Sequence, residues 1–311
     1  MRRDAMSTQV PGRRATVVTD DGVPLAVREY GPSLAPITAV FAHGHCLRSE
    51  SWNPLHDQLT RSWGPDVRMV YYDHRGHGDS GHADPASYTI DRLGRDLDTV
   101  ITTIVPSGPV ILIGHSMGGM AALACARQNP TLVSSRLAAV ALIATAAGGL
   151  ADAGLGRMLR SPALTAFHAA VRWAPRATAG TKRAGCGVGA ALMRLAGSRR
   201  LDPRVLAVAA AMAGETSVVT MSSFLRAFVG FDEFAAVSRL STVPSLVLCG
   251  SADLMTPFAH SASLAERLPL SELVRLEGAG HSVILERAPE VAAAIEALVA
   301  RVGVRCLTPA G

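Results

Sequence analysis

The chain has 311 residues, 49% apolar and 18% charged, with a net charge of +5 and a mean hydropathy of +0.25. So much apolar surface with so little charge excludes a disordered chain, and 29 glycines and 18 prolines without a period exclude a collagen-like fibre. The longest charge-free apolar stretch, between Arg136 and Asp152, holds 15 residues and two glycines, short of the roughly 20 a membrane span needs.

In chain order, residues 1–15 are polar and Arg-containing without the apolar run of a signal peptide, so a flexible N-terminal tail is expected. Thr16 to Tyr30 reads as a hairpin around Asp21-Gly22. Strands are predicted at Ile37–Ala42, Val67–Tyr72, Val110–Ile113 and Leu137–Ala144, with helices at Glu50–Trp63, Ile90–Ile104 and Met117–Gln128. Strands that are apolar on both faces and spaced by helices imply a mainly parallel sheet covered on both sides. After Gly148 the pattern turns helical, rich in Ala and Arg, as far as about Phe234. The alternation then resumes with a strand at Ser245–Cys249, a helix at Phe258–Arg267, a strand at Glu272–Leu276 and a helix at Pro289–Val302. The expected architecture is therefore an α/β core (16–148 and 237–311) with a helical lid (149–236) inserted after the sixth strand.

Five cysteines, at 46, 125, 186, 249 and 306, are odd in number and lack C-x-x-C spacing, which argues for a reducing compartment and a cytoplasmic location. Between Leu150 and Phe234 ten arginines and Lys182 stand against five acids, a balance of +6 in a chain of net charge +5. This basic segment reads as a solvated surface or as one that meets anionic lipid or an anionic substrate.

Gly114-His115-Ser116-Met117-Gly118-Gly119 follows a predicted strand and opens a predicted helix. A serine in G-x-S-x-G at such a junction is held clear of the backbone, beside a helix N-terminus that favours developing negative charge. Serine is a weak nucleophile and needs a base. His281 and Asp253 each follow a predicted strand into the loop at its carboxyl end, the edge where groups gather in open α/β sheets.

These segments, with His43-Gly44-His45, Asp73-His74-Arg75-Gly76-His77-Gly78-Asp79-Ser80, Gly250-Ser251-Ala252-Asp253 and Gly280-His281, resemble the α/β-hydrolase superfamily, in its branch with helical lids. The resemblance runs from about Thr16 to Val302 and implies an α/β-hydrolase sheet with helices on both faces. It selects the same residues as the local reading: Ser116 as nucleophile, His281 as base and Asp253 as acid, in the chain order of this fold. Asp152 is the rival acid, since some relatives place theirs after the sixth strand. The oxyanion hole is expected from the backbone N–H groups of His45 and Met117. His43, Asp73 and Arg75 are expected to be structural, and neither a cofactor nor a metal site is implied, since no His-Glu-x-x-His helix occurs and the family loops account for the histidine clusters.

A serine rather than Asp at the elbow separates the chain from epoxide hydrolases and haloalkane dehalogenases of this fold. Perhydrolases share the Ser-His-Asp set. Met221, Phe224, Phe228 and Phe231 fall at helical spacing in the lid and either pack it onto the core or receive an apolar acyl chain. The implied activity is serine-dependent hydrolysis of a lipophilic small-molecule ester with a medium or long acyl group. The alternatives are a monoacylglycerol lipase-like enzyme, an acyl thioesterase, a perhydrolase or a ligand-binding receptor on the same scaffold. No nucleic acid and no stable membrane insertion are expected; transient contact with a lipid surface is compatible with the basic lid.

Overall fold

The computed structural model describes residues 12–178 and 203–306. Eight strands form one sheet in the order β1-β2-β4-β3-β5-β6-β7-β8. β1 (Arg13–Val18) and β2 (Pro24–Tyr30) are antiparallel, and β2 runs antiparallel to β4 (Val67–Tyr72). β3 (Ile37–Ala42), β4, β5 (Val110–His115), β6 (Leu137–Ile143), β7 (Ser245–Gly250) and β8 (Ser271–Leu276) are parallel. Every residue of β3, β4, β5 and β7 is buried, as expected where helices cover both faces.

Alternation along each strand divides the core. Phe41, Met69, Ile111 and Ile113 face α1 (Asn53–Trp63) and the C-terminal helix Ala288–Cys306. Val40, Val70, Val110 and Leu112 face the opposite layer, with α2 (Ile90–Ile104) and α3 (Met117–Gln128). Each side chain on the sheet thus has one of two cores to enter, and the period of two decides which.

Several elements differ from expectation. β1 begins at Arg13, so Arg13–Ala15 belong to the sheet rather than to a tail; they pair with Val27–Glu29, and their exposed arginines suit an edge strand. The helix expected from Glu50 is a 3-10 turn at Ser49–Trp52 followed by α1, where Pro54 sits in the first turn and no N–H is needed. Short helices at Pro130–Ser135 and Val283–Glu286 were not anticipated, each being too brief to show a period. The helix Phe234–Arg239 spans the expected lid boundary at 236, and Ala236 and Val237 are buried in the core.

The insertion opens and closes at one point, where Gly148 bridges Asp232 and Glu233 N–H donates to the Ala147 carbonyl at 2.6 Å. Its described helices include Pro162–Trp173, Pro203–Glu215 and Val218–Ala227. Lys182, Met193 and several of the arginines counted in the basic segment lie outside the described residues. Among the described residues no single helix is long and apolar enough to cross a membrane.

Candidate active site

Ser116 stands between β5 and α3 with φ +52° and ψ −117°, a strained conformation that costs a non-glycine residue roughly 1–3 kcal/mol. The surroundings enforce it. Ser116 N–H donates to the Ile143 carbonyl at 2.9 Å, and its own carbonyl accepts from Thr145 Oγ1 at 2.7 Å. Gly118 is required because a Cβ there would lie 2.0 Å from the Ala42 carbonyl oxygen, and one at Gly114 would meet Gly118 O at 2.5 Å. The motif's glycines are thus demanded by close approach of α3 to β3 and β5.

β7 delivers Asp253 and β8 delivers His281 to the same edge. Ser116 Oγ lies 2.9 Å from His281 Nε2, and His281 Nδ1 lies 2.8 Å from Asp253 Oδ2. Asp253 is 2% exposed, so its charge must be met internally. The Met255 and Thr256 N–H groups donate to Oδ1 at 2.8 and 2.9 Å, and Thr256 Oγ1 lies 2.8 Å from Oδ2. Burial alone would raise the Asp253 pKa, but the His281 charge and hydrogen bond, with the Thr256 donors, hold it below the usual carboxylate value. For His281 burial works downward, and Asp253, with a smaller contribution from Glu286, outweighs it and raises the pKa. Such a chain lets a neutral imidazole take the hydroxyl proton while an ionised carboxylate steadies the resulting imidazolium.

The loop after β3 lies against this group. A Cβ on Gly44 would come within 3.3 Å of Ser116 Cβ, which places His45 beside the elbow. Met117 is the first residue of α3, whose leading N–H groups have no acceptor inside the helix. His43 is fully buried and joins two loops: its Nε2 accepts from His74 N–H at 3.0 Å, and its Nδ1–H donates to the Gly44 carbonyl at 2.8 Å. Asp73 accepts from Ser49 N–H at 2.6 Å and Asp79 N–H at 2.9 Å. The buried Arg75 bridges Asp96 and Asp21. All three residues tie loops at the strand ends.

The rival acid Asp152 is on an exposed turn, paired with Arg160 at 2.6 Å. Of the lid residues, Phe224 is fully buried among the rings of His45, His77 and Tyr88, with centroids 5.9, 5.6 and 5.2 Å away. Phe228 meets the His45 ring edge-on at 5.6 Å. Phe231 is buried in the same cluster as Met117 and Met120, but the helix ends at Ala227, so Phe228 and Phe231 follow a turn rather than one continuous helical stripe. Met221 is half-buried on the helix itself.

Among the described residues His45, Cys46 and His77 bring three donor atoms within 4.8 Å of one another. Both His77 nitrogens are already engaged, Nδ1–H with the Arg75 carbonyl at 3.0 Å and Nε2 with Cys46 N–H at 3.1 Å. Burial pushes both histidines down to about 3. The trio is a hydrogen-bonded loop contact whose ligating lone pair on His77 is in use. Sequence reasoning passed over Thr256, His115 and Glu286. Thr256 carried a signal, a hydroxyl three residues after an acid in a turn; the partners of the other two are set only by the fold.

Residues 39–294 match the alpha/beta hydrolase family. The chain is 36% identical over 94 residues to an sn-1-specific diacylglycerol lipase of Mus musculus, covering 30% of this chain and 29% of that protein. It is 33% identical over 128 residues to the monoglyceride lipase of Rattus norvegicus, covering 39% of this chain and 40% of that protein. The chain therefore spans less than half the length of these two curated relatives. An esterase structure from Thermogutta terrifontis superposes with a TM-score of 0.72 at 23% identity, over 93% of this chain and 99% of that one, a likeness of fold. The family match runs from β3 into the C-terminal helix and takes in the elbow, Asp253 and His281: the chain belongs to the alpha/beta hydrolase family.

Proposed function

We propose that this hydrolase cleaves carboxylic esters with a medium or long apolar acyl group through an acyl-enzyme. The reading is carried by the unbroken contact from Ser116 Oγ through His281 to Asp253, at 2.9 and 2.8 Å. Ser116 Oγ attacks the ester carbonyl and His281 Nε2 takes its proton, then returns it to the leaving alcohol. The N–H groups of His45 and Met117 receive the oxyanion. Water, activated in turn by His281, frees the acid and restores the serine. Asp253 keeps the His281 proton on Nδ1 and offsets the imidazolium charge. No cofactor enters these steps.

The acyl group is assigned to the apolar wall beside His45, where Phe224, Phe228 and Phe231 cluster with Met117 and Met120, and Met221 lies one turn earlier on the same helix as Phe224. A diacylglycerol lipase and a monoglyceride lipase among the relatives favour an acylglycerol as the ester, and the wall suits its tail. Burial at roughly 25 cal/mol per Å² makes each added methylene favourable, so kcat/KM should rise along a C2 to C16 p-nitrophenyl ester series. Phe228→Ala should lower kcat/KM roughly 10- to 100-fold for long esters and less for acetate, in keeping with the ~1.5–3 kcal/mol of a buried side chain. A preference for acetate that Phe228→Ala leaves unchanged would remove the acyl assignment. A parallel acyl-CoA panel tests the thioesterase alternative.

A further inference from the structure

His115, the residue before the nucleophile, is 1% exposed and has no part in the proton transfer described above. Its Nε2 lies 2.9 Å from the backbone carbonyl oxygen of His281. A carbonyl accepts, so the proton is on Nε2 and Nδ1 carries the lone pair. Nδ1 is buried without a hydrogen-bond partner among the described residues and faces Gly44, where a Cβ would sit 2.8 Å away. A buried imidazole with one nitrogen unpartnered is costly, which makes its single bond to His281 the contact to explain.

We propose that His115 is a positioning residue for proton transfer, its Nε2–H fixing the His281 backbone so that the imidazole stands at the right distance from Ser116. The inference rests on the triad reading above. Two consecutive residues of one strand end, His115 and Ser116, touch the same histidine, one at its carbonyl and one at its ring. The separation of serine and base is thereby measured from the nucleophile's own backbone, independently of Asp253. Elsewhere in this loop Ser251 Oγ accepts from Gly278 N–H, where φ is +71°, and Glu286 accepts from Gly280 N–H, both at 2.8 Å, and neither bond reaches the His281 carbonyl. Burial lowers the His115 pKa to about 3, so the ring stays neutral beside the His281 imidazolium, whose ring centroid is 5.3 Å away.

Glutamine and asparagine separate this role from packing. A glutamine Nε2 is as many bonds from Cβ as the histidine Nε2 and can donate to the His281 carbonyl. Asparagine places its amide where Nδ1 stands and cannot reach. His115→Asn should lose ~10- to 100-fold in kcat, the scale of a misplacement near 1 Å, with KM within about twofold. His115→Gln should keep kcat within about threefold. A folded Asn variant with wild-type kcat overturns the proposal, as does an equal loss in both variants. If Asn prevents folding, the Gln variant decides by the same threefold criterion. The imidazole ¹⁵N spectrum of the unmodified chain decides independently of any variant: a His115 proton on Nδ1 overturns the proposal. Fluorophosphonate labelling keeps the two readings apart. A chain labelled at Ser116 whose Asn variant reacts at full rate loses this inference alone, whereas labelling that persists in Ser116→Ala removes the triad beneath it.

Discussion

Ser116→Ala is expected to abolish covalent labelling by a fluorophosphonate probe and to lower kcat on the order of 10⁵- to 10⁶-fold, with the fold intact. The loss is large because serine, histidine and acid act as a unit, and removing the nucleophile leaves only oxyanion stabilisation and binding. The fold should survive: alanine keeps the Cβ, and the Ser116 N–H and carbonyl bonds to Ile143 and Thr145 are made by backbone atoms of residue 116. Loss of the hydroxyl leaves the φ of +52° in place, because the backbone bonds that hold residue 116 remain. Peptide mass spectrometry of the labelled protein should find one adduct, on Ser116. Stoichiometric labelling of the alanine variant would place the nucleophile elsewhere.

Asp253→Asn should cost roughly 10²- to 10⁴-fold in kcat, because the amide lets His281 adopt the wrong tautomer. It should also move the pH profile, and the sign follows from the charges. His281 must be neutral to accept the serine proton, so kcat/KM falls as pH drops through its pKa. In the intact chain Asp253 raises that pKa above its ordinary value of 6.5 against the downward pull of burial. Without the carboxylate, burial prevails and the acid limb shifts to lower pH. Retained kcat with an unmoved acid limb would transfer the acid role away from Asp253. A collapse in Asp152→Asn instead would point to the rival, which the ion pair with Arg160 at 2.6 Å gives no route to His281.

The sheet was legible because its central strands are mostly apolar on both faces, and continuous runs such as Val110–Ile113 and Leu246–Cys249 announce burial whatever surrounds them. Ser116, Asp253 and His281 could be singled out for a related reason: each lies in glycine-bearing sequence just after a strand, and the fold brings such ends to one edge. The lid was less so. Phe224, Phe228 and Phe231 have helical spacing, yet the helix stops at Ala227 and the rings reach the core through a turn, because packing against His45, Tyr88 and Met117 outweighs local periodicity.

Sequence by itself determined the succession of strands and helices along the chain, the elbow motif and the choice of the three residues proposed for the chemistry, since periodicity and turn chemistry are local properties. Tertiary structure decided what holds them. Thr256 on Asp253 and Glu286 on Gly280 are contacts three and six positions apart, whereas His115 on His281 joins residues 166 positions apart. Nothing in the neighbourhood of His115 along the chain marks its partner. A hydrogen bond between a side chain and a distant carbonyl depends on where two strand ends meet, and that is fixed only when the sheet closes both cores.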